Sequence, residues 1–384
     1  MKPTCRLGAA APGGLALPDA KPTASQFYAP RGAWLDDERL IVVDSGNHRV
    51  LLFDGIPEVD GAEAAVVLGQ RDFTSEGPRA AGRGVRGGLH LPTGVCVAEG
   101  RLIVADAWHH RVLVWDGIPD TNDALPAYAI GQDTLDGDQS QRGADQPHGL
   151  GLYWPYGVSY INGWLWIADT GNRRVLGWRG LPDANRAPDV VLGQPDLLHN
   201  DENRGGAPTA SSFRWPHAIT AFGATLIVAD AGNHRVLGWT PSPIADAPAN
   251  LVFGQRDFVT ARETPHVPQG PAALRFPYSA VADDRRLIVA DTANNRVLLW
   301  HDPVATGLGG AADAVLGQHN FEQAGENRWT AIADDTLCWP YGLALHGDRL
   351  AITDSGNNRV MLWTLAGPRT SLEESAPASL AFTS

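Results

Sequence analysis

An all-β chain closed into a single ring of six blades, each of four antiparallel strands, is predicted by three observations. An Asp-to-Arg turn recurs six times, the recurrences are 61 to 63 residues apart, and the strand missing from the sixth unit is found at the N-terminus. A regular period with turn residues at fixed offsets signals stacked supersecondary units rather than independent domains. The architecture that satisfies all three is a closed β-propeller.

The turns are Asp44-Ser-Gly-Asn-His-Arg49, Asp106-Ala-Trp-His-His-Arg111, Asp169-Thr-Gly-Asn-Arg-Arg174, Asp230-Ala-Gly-Asn-His-Arg235, Asp291-Thr-Ala-Asn-Asn-Arg296 and Asp354-Ser-Gly-Asn-Asn-Arg359. A short apolar run precedes each Asp, as in Leu102-Ile-Val-Ala105, and another follows each Arg, as in Val112-Leu-Val-Trp115. Runs apolar on both faces suit strands sandwiched between neighbouring sheets. A third strand opens at an aromatic residue or leucine near a proline: Tyr28-Ala-Pro30, Leu91-Pro92, Trp154-Pro155, Trp215-Pro216, Phe276-Pro277 and Trp339-Pro340. Proline at the first residue of a strand removes no ladder bond.

A fourth strand ends in Gly-Gln at Gln70, Gln132, Gln194, Gln255 and Gln318, one fewer than the turns. Its sixth counterpart is Cys5-Arg-Leu-Gly8, which lies 36 residues before Asp44, against 37 from Gly69 to Asp106. A ring that begins and ends within one blade is closed by its own hydrogen bonds and leaves no mismatched edge. The propeller is therefore expected over residues 1–367, with residues 4–8 completing the last blade and 368–384 a flexible tail. A competing closure would draw its strand from Ala378-Ser-Leu-Ala-Phe382.

The Asp-x-Gly-Asn-x-Arg-Val turn, after a Pro-x-Gly-Val strand opening, resembles the NHL repeat, from residue 4 to about 363. The unit is longer than is usual for that family and adds a Gly-Gln-x-Asp loop. The resemblance implies a six-bladed scaffold that serves protein-binding and RNA-binding modules, sensor domains and a metal-dependent lyase, so it leaves function open.

Composition narrows the options. A formal charge of -13 disfavours non-specific binding to nucleic acid or an anionic membrane. Cys5, Cys96 and Cys338 are too few and too far apart for a disulfide framework or a zinc cluster. Without an apolar N-terminal segment of signal-peptide length or a membrane span, the expected location is the cytoplasm.

Features repeated in every blade are expected to be architectural. The Asp-Arg pairs should form charge-assisted, bidentate contacts, and the Gly and Asn of each turn should supply its positive φ. The Gly-Gln-x-Asp loops are expected to bond the backbone of a neighbouring blade. The connections of some twenty residues that follow them, such as Arg71 to His90, should return from rim to centre on one working face.

Function should lie where blades differ. The position after each strand-opening proline holds Arg31, Thr93, Tyr156, His217, Tyr278 and Tyr341. Facing one another across a channel mouth, these suit an anionic or aromatic small ligand or an inserted peptide loop. Trp108 and His109, where blade two departs from the turn pattern, are expected as a secondary contact. The resulting candidate binding set is Arg31, Tyr156, His217, Tyr278, Tyr341, Trp108 and His109, with no catalytic residue, no cofactor and no assigned metal. The expected role is a non-enzymatic binding or scaffolding module for a protein partner, monomeric when unbound. The alternative is a small-molecule enzyme or sensor at the channel mouth, resembling metal-dependent lyases and lactonases, with His90, His148 or His266 joining His217.

Overall fold

The structure, a computed structural model, describes residues 1–9, 21–183 and 186–365. The expected tail at 368–384 and the competing strand at 378–382 lie outside the described residues. Six four-stranded antiparallel sheets form the ring. Blade one comprises Gly32–Leu35, Arg39–Asp44, Arg49–Asp54 and Val66–Leu68, and blade two Val95–Ala98, Arg101–Asp106, Arg111–Val114 and Tyr128–Ile130. Blade three comprises Pro155–Ile161, Trp164–Asp169, Arg174–Arg179 and Val190–Leu192, and blade four Pro216–Phe222, Thr225–Asp230, Arg235–Trp239 and Leu251–Phe253. Blade five comprises Pro277–Ala282, Leu287–Asp291, Arg296–Trp300 and Ala314–Leu316. Blade six joins Pro340–His346, Arg349–Asp354 and Arg359–Thr364 to Lys2–Gly8.

The closing strand pairs antiparallel with Arg359–Thr364, placing Leu7 opposite Val360 and Arg6 opposite Met361. Leu7 is fully buried. Closure by the N-terminal strand therefore holds.

Doubly apolar strands follow from the way the blades pack. Leu40 and Val42 enter a core shared with blade six, while Ile41 and Val43 enter a core shared with blade two. Successive side chains on a strand point to opposite faces, so a run such as Leu-Ile-Val-Val supplies two cores at once. The same alternation gives the core between blades two and three, where Ile103 and Ala105 meet Leu165 and Ile167.

The turn differs from the expectation. Ser45–Asn47 forms one 3-10 turn, and the positive φ falls on the next residue, at 54° for His48 and 53° for Arg173. Neither Gly46 nor Asn47 takes that conformation. Gly46 is required by proximity instead, because a Cβ there would stand 2.5 Å from the Tyr28 carbonyl oxygen. Where the residue has a Cβ the turn stands farther off: the N–H of Trp108 reaches its carbonyl at 3.2 Å, against 2.8 Å for Gly46.

Pairing places the functional elements at one end. Pro155, opening the innermost strand of blade three, lies opposite Asp169, and Leu192, ending the outer strand, lies opposite Val175. The strand openings, the Asp-Arg turns and the long connections thus share one face.

Candidate functional site

Each Asp-Arg pair is wholly buried and works as a bolt. In blade three the Asp169 Oδ2 accepts from Arg174 Nε at 2.7 Å and from Asn172 Nδ2 at 2.7 Å, while Oδ1 accepts the Tyr153 N–H at 2.8 Å. The pair is not bidentate as expected, because both Nη groups are used elsewhere: Arg174 Nη1 donates to Leu197 O, and Nη2 to His148 O and Gly151 O. One guanidinium therefore fixes the connections on either side of its blade. His109 replaces the turn Asn in blade two, its Nδ1 lying 2.8 Å from Asp106 Oδ2.

The glutamine expectation is also corrected. Gln70 Nε2 donates to His48 O in its own blade's turn and to Gly77 O seven residues on, not to a neighbouring blade. Gln194 repeats this toward Arg173 O and Asp201 O. The long connections are thereby pinned at their start.

Blades are joined by a group the sequence reasoning passed over. The left-handed residue of the turn reaches the next blade: His48 Nδ1 accepts the Leu91 N–H at 3.0 Å, His110 Nδ1 the Trp154 N–H at 3.0 Å, and Asn295 Oδ1 the Trp339 N–H at 2.9 Å. A usable signal existed, since the residue after Asn is His or Asn in most repeats. Arg173 offers no acceptor, and Trp215, opposite it, donates instead to Asp230 Oδ1.

These bonds require neutral imidazoles, since a ring nitrogen that accepts carries no proton. Burial first, then the neighbouring His90, lowers His48 from 6.5 to about 4, with Asp106 opposing and His109 adding to the effect. Burial and His109 likewise bring His110 to about 4, against the pull of Asp106 and Asp138. Unfolded chains bind the proton at higher pH than the folded protein, so this stability is complete above about 6.5 and declines as pH falls toward about 4. Both rings retain partial solvent contact, which limits the expected loss at pH 5 to about 1 kcal/mol each. Replacing both by the Asn found in blades five and six should keep the bonds without the titration. Urea midpoints at pH 7 and pH 5 should differ less for His48→Asn/His110→Asn than for the parent, and an equal difference would refute the role.

The six residues behind the prolines do meet, lining a central cavity of about 300 Å³. Tyr156 and His217 have ring centroids 4.2 Å apart, His217 and Tyr278 4.4 Å, and Tyr278 and Tyr341 4.7 Å. The Arg31 guanidinium lies over Tyr341 at 4.9 Å. Thr93 is committed elsewhere, its hydroxyl donating to Tyr156 O at 2.7 Å. Farther along the innermost strands the lining is mixed, with Trp34, Ser159, Thr220 and Val281, while Val95, Val158, Ile219 and Leu343 pack into the cores between blades.

Among the described residues lining this mouth, only Arg31 gives it a formal charge at neutral pH. His217 Nδ1 donates to Trp215 O at 2.8 Å, which fixes its tautomer and leaves Nε2 a bare acceptor. Burial, reinforced by the Arg31 charge, drops its pKa to about 3. Burial also pushes Tyr278 up to about 12 and Tyr156 higher still, so the phenols keep their protons. Tyr156 is 4% exposed, and its hydroxyl makes no hydrogen bond of normal geometry although Arg31 stands beside it. No carboxylate forms an ion pair with Arg31 among the described residues.

Trp154, Trp215, Phe276 and Trp339, the residues before four of the six prolines, form an aromatic collar beside the ring. Trp215 stacks on Phe276 at 6.2 Å, and Phe276 on Tyr278 at 6.5 Å. Trp108, 48% exposed, packs edge-on against Trp154 at 6.4 Å, and Trp154 meets Tyr156 at the same distance. It therefore lies on the face expected. His109 does not present a surface contact: it is 1% exposed and holds Asp106. Trp329, 80% exposed on this face, was not singled out from the sequence.

Among the described residues no group of three or more His, Cys, Asp or Glu is placed to hold a metal. His90, His148 and His266 do not line the cavity. No described helix is long and apolar enough to cross a membrane.

Fold and site together define a closed six-bladed propeller with an aromatic, singly charged channel mouth. Residues 89–115 match the NHL repeat profile, within a six-bladed β-propeller that is similar to curated NHL repeat-containing proteins. NHL repeat-containing protein 2 of Bos taurus is 25% identical over 360 residues, covering 85% of this chain and 45% of its own length. Its Homo sapiens counterpart is 25% identical over 353 residues with the same coverage. The chain thus spans about half the length of these curated relatives. Hydrazine synthase of Kuenenia stuttgartiensis shares the fold, with a TM-score of 0.50 at 12% identity, covering 91% of this chain and 99% of that one.

Proposed function

We propose that the protein is a non-enzymatic binding module that receives part of a protein partner on its turn face, with the channel mouth as anchor. The observation that carries this reading is the asymmetry of the mouth. Elsewhere the cavity is lined mainly by small or apolar residues, with Ser159, Tyr160, Thr220 and Ser279 among the polar exceptions, whereas Arg31, Tyr156, His217, Tyr278 and Tyr341 bring the charge, the imidazole and three of the phenols to one level of it and differ from blade to blade. Tyrosine and arginine in a recessed, partly desolvated site are the residues that most often dominate binding energy. The collar and the exposed Trp108 extend the same surface outward.

Tyr278 and Tyr341 are only half-buried, so they can be truncated at less risk to folding than Tyr156. A partner captured from the source cell, identified and purified, should bind the Tyr278→Ala/Tyr341→Ala protein about thirtyfold more weakly, the equivalent of about 2 kcal/mol. The melting temperature serves as the folding control. Undiminished affinity in a folded double variant would show that the mouth is a plug.

A further inference from the structure

We infer that the channel mouth is a site for a carboxylate that carries a hydrogen-bond donor close by, as a peptide C-terminus or an N-acylated amino acid does. The inference rests on the binding role just proposed and names the chemistry that the same site reads. Three independent observations point to it. Arg31 is a guanidinium that forms no ion pair with a carboxylate among the described residues, held at the cavity wall over Tyr341. A planar fork of donors with no acid opposite it matches a carboxylate in geometry as well as charge. Second, the Tyr156 hydroxyl is buried beside Arg31 without a normally formed hydrogen bond. Arg31 can only donate to that oxygen, so the phenol proton has no acceptor there, and a ligand oxygen held at Arg31 would accept it. Third, His217 spends Nδ1–H on Trp215 O, so the Nε2 that remains can only accept.

That last group discriminates among anions. Sulfate is all acceptor, so it would find one cation and a facing lone pair. A peptide terminus offers two oxygens to Arg31 and Tyr156 and, one bond from the carboxylate-bearing carbon, an amide N–H for His217 Nε2. An aromatic or aliphatic side chain on that carbon would meet the faces of Tyr278 and Tyr341, within a cavity of about 300 Å³.

The test is calorimetric titration of the full chain with N-acetylphenylalanine, its uncharged amide, sulfate, and a hexapeptide ending in Phe as free acid or as amide. The acids should bind, with each amide and sulfate at least tenfold weaker. Arg31→Gln should weaken the acids tenfold or more and Tyr156→Phe about fivefold, with Arg31→Lys as the charge-retaining variant if the glutamine substitution lowers folding. Tighter binding of the peptide acid assigns the site to a partner's C-terminus, and binding of N-acetylphenylalanine alone assigns it to a small molecule. Failure of both acids to bind, amides equal to acids, or a folded Arg31→Gln or Arg31→Lys protein that binds like the parent would overturn the inference. Should the acids fail while Tyr278→Ala/Tyr341→Ala still loses its protein partner, the binding role survives and only the carboxylate assignment falls. The reverse outcome removes the protein partner and leaves the carboxylate site.

Discussion

Deletion of residues 1–8 is expected to open the ring. The truncated protein would lose the whole outer strand of blade six, exposing the backbone groups of Arg359–Thr364 that now pair with it. It would also lose Leu7 and Cys5 from the core shared by blades six and one. A fully buried leucine contributes about 2–3 kcal/mol, and each ladder bond about 1 kcal/mol net. The total is on the order of 5 kcal/mol or more, comparable to the whole stability of many domains. Thermal melting should therefore drop steeply, with association through the bared edge. A synthetic peptide of residues 1–9 added in trans should restore much of the loss by strand addition. A truncated protein that melts within a few degrees of the parent, with no response to the peptide, would refute closure by this strand.

Asp169→Ala should cost about 3–5 kcal/mol, the range for removing one partner of a buried ion pair. The charge left behind cannot relocate to solvent, since Arg174 is completely buried and its Nη groups are bonded to the carbonyls of Leu197, His148 and Gly151. The Tyr153 N–H and the Asn172 amide lose their acceptor as well. Asp169→Asn, which keeps an oxygen but not the charge, should fall between the alanine variant and the parent. Chemical denaturation resolves the three proteins. An alanine variant of parental stability would show that the guanidinium is satisfied by its carbonyls alone.

The ring was legible because its evidence is periodic. Six turns, five Gly-Gln strand ends and a displaced Cys5-Arg-Leu-Gly8 fix blade number and closure without knowledge of any side-chain contact. Periodicity also separated the repeated Asp169 from the unrepeated Tyr156, and so located the mouth. Conformation within the turn was less legible, since residue type alone favours Gly46 or Asn47 for the positive φ, while the backbone assigns it to His48. The same assignment holds where Trp108 or Ala293 stands in place of the glycine, with φ of 53° at His110 and Asn295, so it belongs to the 3-10 turn as a whole and not to one residue type. His109 was misread for a related reason: adjacent histidines look like a surface feature until one is seen to occupy the place of a buried asparagine. That Arg31 has no carboxylate partner among the described residues was beyond sequence, because it depends on which acids the fold places near it.

Closure also imposes an order in time. Thr4 and Leu362, bonded at 3.1 Å across the seam, stand 358 residues apart in the chain. At about 5–20 residues per second, a ribosome needs roughly 20–70 s to make the partner that the first strand requires. Throughout that interval the strand waits unpaired while five other blades are assembled. Its own residues make the wait tolerable, for Lys2, Pro3 and Arg6 place charge and a missing donor along the edge, and a register shift between Pro3 and Cys5 interrupts its regularity. The strand that seals the molecule is thus built to refuse other partners until its own has been synthesised.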